Sequence, residues 1–131
     1  MELVINHIGM LVKDIDVSLR EFENLGYEVS SKLFRDDIRG IDIIFINKNT
    51  YCVELVSPFV SDSSVGKLLT KLGETPYHFC YECKGLVKTI EELTSQGYIL
   101  IDEPQPAVAF DNRFVAFMYK NGVGLVELVD I

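Results

Sequence analysis

The tetrapeptide Val-Glu-Leu-Val occurs twice in this chain, at residues 53–56 and again at residues 126–129. Each copy sets an acid inside an apolar β run, which is costly unless something compensates the charge. The only two histidines stand upstream at nearly equal distances, 47 residues from His7 to Glu54 and 49 from His78 to Glu127. A Gly-Tyr pair follows each histidine by the same 19 residues, at Gly26-Tyr27 and Gly97-Tyr98. Val, Glu and Leu are common residues, and Met1-Glu2-Leu3-Val4 is a near-copy of the kind chance supplies. The matched registers between the anchors point instead to an internal duplication, from which fold reasoning starts.

The duplication fits the chain's size. At 131 residues it makes one domain, or two small modules sharing a core. Its 48% apolar and 24% charged residues are ordinary for a globular protein. No run approaches the roughly 20 apolar residues of a membrane span. The N-terminus, Met1-Glu2-Leu3-Val4-Ile5-Asn6-His7, lacks the basic start of a signal peptide, so a cytoplasmic location is expected. A net charge of −8 repels nucleic acid and anionic membranes, although a local basic patch could still hold a small anion.

Cys52, Cys80 and Cys83 are an odd count, which fits reduced thiols better than a disulfide framework. Cys80-Tyr81-Glu82-Cys83 is formally a C-x-x-C, whose redox use needs a helix N-terminus to lower the thiol pKa. The flanking residues read as a strand instead, and residues three apart on a strand point to opposite faces.

Along the chain, residues 5–13 alternate as a strand, and Asp14 or Asp16 can cap a helix carrying Val17, Leu19, Phe22 and Leu25 up to Gly26. Residues 27–33 read as a strand, 36–40 as a turn, 41–47 as a strand, and 51–56 as the strand bearing Glu54, closed by Pro58. The module order is β-α-β-β-β over residues 5–58. A packed connection, residues 59–74, holds the capping cluster Ser61-Asp62-Ser63-Ser64 and a short helix ending at Gly73. Residues 75–131 repeat the order. They give a strand at 77–82, a helix to Gly97, a strand at 98–101, a loop at 103–111 and a strand at 114–119. The hairpin signal Asn121-Gly122 then leads into the strand bearing Glu127. The expected fold class is α+β, two tandem βαβββ modules forming a curved mixed sheet.

If the fourth strand of each module lies beside the first, His and Glu sit on neighbouring strands of one face, with Cβ atoms about 5 Å apart. Two such modules facing one another would gather two imidazoles and two carboxylates in a central trough. That set suits one divalent ion such as Zn, Ni, Co or Mn, all of which accept mixed N/O ligands. Singly, either histidine could be structural and either acid an edge residue facing water. The fourfold placement favours a metal site.

His7-Ile8-Gly9 with Val12-Lys13-Asp14-Ile15, then Glu54-Leu55-Val56-Ser57-Pro58 with Asp62-Ser63, Leu68-Leu69, Lys71 and Gly73, and finally Gly124-Leu125-Val126-Glu127-Leu128, resemble the vicinal-oxygen-chelate superfamily. Within it, the chain is most similar to the branch of methylmalonyl-CoA epimerase and glyoxalase I, along essentially its whole length. The resemblance implies that His7, Glu54, His78 and Glu127 are the metal ligands. It further implies that Glu127 leaves the metal to act as base. Glutamate at position 54 is the glyoxalase I choice, whereas epimerases can carry glutamine there. Epimerases also place a second catalytic glutamate two residues before a turn glycine; read against Gly40, that position is Ile38, with Asp36 and Asp37 just before. Arg113, with its bidentate fork, is a candidate for an anionic substrate group, together with Asn112 and Arg39.

The implied function is a metal-dependent isomerase or lyase that removes a proton beside a chelated carbonyl through an enolate. Its substrate would be a thioester or thiol adduct, and its assembly a homodimer. Returning the proton to the same carbon is epimerisation; returning it to the adjacent carbon is glyoxalase chemistry. Two other uses of the fold stay open. A drug-binding protein of the bleomycin-resistance type generally lacks the ligand set, and a dioxygenase usually has two histidines with a single carboxylate.

Overall fold

Asp14 decides where the first strand ends and the first helix begins. Its carboxylate accepts from the Val17 N–H at 3.2 Å, capping helix α1 (Ile15–Asn24) immediately after strand β1 (Val4–Leu11). The chain continues through β2 (Glu28–Val29), β3 (Phe34–Asp36), β4 (Ile41–Lys48) and β5 (Tyr51–Pro58) to helix α2 (Ser64–Leu72). Then come β6 (Thr75–Cys83), α3 (Leu86–Ser95), β7 (Ile99–Ala107), a single 3-10 turn at Val108–Phe110, β8 (Arg113–Lys120) and β9 (Gly124–Asp130). This is a computed structural model describing residues 1–131. The class is α+β; the second half follows the β-α-β-β-β order, and the first half follows it with one further short strand, β3.

Residues Ile8–Tyr77 form one compact unit; Met1–His7 with His78–Ile131 form the other. In the unit of Ile8–Tyr77 the strand order is β2-β4-β5-β1, and β3 also pairs with β4. Strand β5 runs antiparallel to β4 and parallel to β1. In the other unit the order is β6-β9-β8-β7, with β6 parallel to β9 and the remaining pairs antiparallel. Both units therefore place their last strand beside their first.

In each unit a helix packs on one face of the strands. Ile15, Leu19 and Phe22 of α1 pack on Val53 and Leu55 of β5, along with Ile44 and Ile46. Leu86 and Leu93 of α3 pack on Val126 and Leu128 of β9, along with Ala116 and Met118. Alternation on a strand then sends Glu54 and Glu127 to the face away from the helix. The repeated Val-Glu-Leu-Val is thus a strand that gives its first and third residues to a helix-packed core.

Three elements depart from the sequence reading. The strand expected over residues 27–33 shrinks to the two residues of β2, and a separate strand, β3, forms at residues 34–36, before the turn. At that turn Gly40 has φ +70°, and a Cβ there would sit 2.9 Å from the Val60 side chain, which explains the glycine. The loop expected at 103–111 is strand as far as Ala107. Pro104 and Pro106 fit because β7 ends the β6-β9-β8-β7 order, and its pairing with β8 shifts register twice, between Leu100 and Gln105. No helix is long and apolar enough to cross a membrane.

Candidate metal centre

His7, His78 and Glu127 converge within the second unit. The Nε2 atoms of the two imidazoles lie 3.2 Å apart. Glu127 Oε1 lies 3.2 Å from His7 Nε2 and 3.1 Å from His78 Nε2. All three residues are buried. The register explains the meeting: Glu127 stands opposite Cys80 on β6, two residues beyond His78, so it and His78 share a face on adjacent parallel strands. Glu54 has the same placement in its own unit. It is buried and stands opposite Gly9 on β1, two residues beyond His7, with Phe45 as its partner on β4.

The three converging atoms form a nearly equilateral triangle. With metal–nitrogen distances of about 2.0–2.1 Å, the edge between neighbouring ligands is about 3.0 Å in octahedral and about 3.4 Å in tetrahedral coordination. Edges of 3.1–3.2 Å fall between these values. Three electron-rich atoms aimed at one point repel one another unless a proton or a cation joins them. The donor set therefore fits a divalent ion.

Burial by itself raises the Glu127 carboxyl, but wherever His7 and His78 carry a proton on Nε2 their hydrogen bonds and charge outweigh it and pull the group well below the usual carboxylate range. Glu127 is thus ionised at neutral pH. Aromatic rings wall both imidazoles: Phe110 lies against His7 at 5.8 Å between centroids, with planes 17° apart. Phe117 presents itself edge-on to His78 at 5.3 Å.

Sequence reasoning passed over both rings, although Phe117 faces Glu127 in the β8–β9 register and a strand alignment could have found it. It also missed Asn6, whose Oδ1 lies 2.8 Å from His7 Nδ1.

The candidate substrate residues fall in both units. Asn112, in the turn that follows Phe110, and Arg113, the first residue of β8, are both exposed. Asp111 and Asn112 both take left-handed backbone, φ +53° and +63°. Arg39 lies in the other unit, where its Nη1 donates to Asp36 at 2.9 Å. Asp36 also accepts from the Arg39 backbone N–H, which makes it a buried turn acid tied to its own loop. The cysteines behave as the strand reading predicts: Cys80 packs among Ala107, Val115 and Val129, and Cys83 packs beneath α3, in two separate clusters.

The family model for the Glyoxalase/Bleomycin resistance protein/Dioxygenase superfamily matches residues 5–117. The ethylmalonyl-CoA/methylmalonyl-CoA epimerase of Cereibacter sphaeroides is 26% identical over 132 residues, covering 97% of each chain. A hypothetical protein of Bacillus halodurans superposes with TM-score 0.87 at 25% identity, over 100% of this chain and 96% of its own. The Streptomyces coelicolor methylmalonyl-CoA epimerase, solved with 2-nitronate-propionyl-CoA, gives TM-score 0.83 at 25% identity and 98% coverage of both chains. With its family model spanning most of its length, the chain belongs to the Glyoxalase/Bleomycin resistance protein/Dioxygenase superfamily.

Proposed function

We propose that the protein is a metal-dependent acyl-CoA epimerase acting on a thioester with an acidic α-carbon, of the 2-alkylmalonyl class. The observation that carries this reading is an ionised carboxylate, Glu127, buried against two imidazoles at 3.1 and 3.2 Å. The similarity to acyl-CoA epimerases over 97% of the chain supports the substrate class.

His7, His78 and Glu127 would hold the ion. Glu54 is the fourth ligand by its equivalent place in the duplicated frame. When bound, the ion supplies Lewis-acid polarisation of the substrate carbonyl and lowers the energy of the enolate charge. Glu127 takes the α-proton, leaving a planar enolate, and inversion follows when a proton is delivered to that carbon from the opposite face. Removing that proton is feasible where the developing negative charge is stabilised, which is why base and ligand set belong together. Phe110 and Phe117 exclude water beside the imidazoles. Arg113 and Asn112 are proposed to meet an anionic group of the substrate. Arg39 ranks behind them because one of its guanidinium nitrogens is engaged by Asp36.

The test is direct. The protein, loaded with Co²⁺ or Zn²⁺, is given a single 2-alkylmalonyl-CoA stereoisomer, and stereochemical inversion is followed. Inversion is expected. Turnover of thiol–aldehyde adducts with no inversion would assign the site to glyoxalase chemistry and contradict the proposal.

A further inference from the structure

His7 is held from behind by a two-step relay. Its Nδ1 lies 2.8 Å from Asn6 Oδ1, and Asn6 Nδ2 donates to Glu82 Oε2 at 2.8 Å. An ionised carboxylate only accepts hydrogen bonds, so Glu82 fixes the amide with its NH₂ outward and its oxygen toward the imidazole. An amide oxygen in turn accepts only, so the proton on His7 must sit on Nδ1. The lone pair is then on Nε2, the atom 3.2 Å from Glu127 Oε1.

We propose that Asn6 and Glu82 are positioning residues that set the tautomer and orientation of His7 and thereby its affinity for the metal. This rests on the metal centre proposed above. The choice of asparagine follows from the same logic. An aspartate at position 6 would put two carboxylates in contact, whereas an amide passes polarisation from Glu82 to the imidazole without like-charge repulsion. Removing such a partner of a metal-bound histidine typically lowers affinity about 10- to 100-fold.

The experiment measures Zn²⁺ affinity by competition with a chromophoric chelator, and the His7 tautomer by ¹⁵N NMR of the ring nitrogens. Asn6→Leu and Glu82→Ala are both expected to weaken Zn²⁺ binding by at least about tenfold. In zinc-free protein both are expected to shift the His7 signals from the Nδ1–H form to a tautomer mixture. The double variant Asn6→Asp/Glu82→Gln rebuilds the relay with its polarity reversed, since the amide introduced at position 82 would donate to the carboxylate introduced at position 6, and should restore both readouts. Glu82→Ala touches no proposed ligand, so it carries the test if Asn6→Leu does not fold. An unchanged tautomer and wild-type Zn²⁺ affinity in Glu82→Ala would overturn the proposal, as would failure of the double variant to restore them. A wild-type protein that binds no Zn²⁺ would overturn the metal centre itself, while the tautomer readout would still report on the relay.

Discussion

The Nε2 atoms of His7 and His78 face each other at 3.2 Å in the buried interior of one unit. In neutral imidazoles with both Nδ1 atoms protonated, two lone pairs would oppose one another there, and Glu127 Oε1 adds a third. A divalent ion bound among them would turn this mutual repulsion into coordination.

Metal removal should therefore destabilise the protein. A chelator should lower its melting temperature, since an ion at a hundredfold excess over Kd stabilises by about 2.7 kcal/mol. His78→Ala should lose most of the bound ion in elemental analysis, and full occupancy would contradict the assignment. Cys80→Ser/Cys83→Ser should keep it. The two thiols pack in separate clusters, and burial pushes the Cys83 thiol up.

Asp36 tests the difference between a turn acid and a second base. Its carboxylate holds both the backbone and the guanidinium of Arg39. Asp36→Ala should cost about 1.5–3 kcal/mol in denaturant unfolding, the usual contribution of hydrogen bonds to charged groups. Per folded molecule, solvent deuterium should still enter the substrate. Loss of exchange with unchanged stability would make Asp36 part of the chemistry.

Arg113 is exposed beside a loop whose Phe110 touches His7. If it anchors an anionic substrate group, Arg113→Lys should raise KM more than it lowers kcat, because binding common to ground and transition state is lost. An unchanged KM would make it a surface residue.

Much of this architecture is legible in the sequence because the duplicated motif does two jobs at once. Val126 and Leu128 must meet a helix, so Glu127 must face the other way, and the same parity holds for Val53, Glu54 and Leu55. The cap at Asp14 and the turn at Asn121-Gly122 are local and could be read directly. What escaped depends on tertiary context. Pro104 and Pro106 read as loop until β7 is known to end its strand order. Asn6 reads as an ordinary strand residue until its amide is seen between His7 and Glu82. Asp36 reads as a loop acid, yet it is buried and paired with Arg39, which no spacing rule announces.

Two equivalent acids are proposed to carry unequal duties. Glu54 and Glu127 occupy matching positions opposite the first strand of each unit, yet only Glu127 is proposed to take the substrate proton. An amide can still offer an oxygen to a metal but cannot act as a base, and loss of a general base lowers the rate by about 10²- to 10⁴-fold. The decisive measurement is NMR in D₂O, following deuterium entry at the α-carbon of a 2-alkylmalonyl-CoA with metal loading matched among proteins. Wild type and Glu54→Gln should exchange, and Glu127→Gln should fall by that factor. Exchange at the wild-type rate in Glu127→Gln would mean that the proton is taken elsewhere.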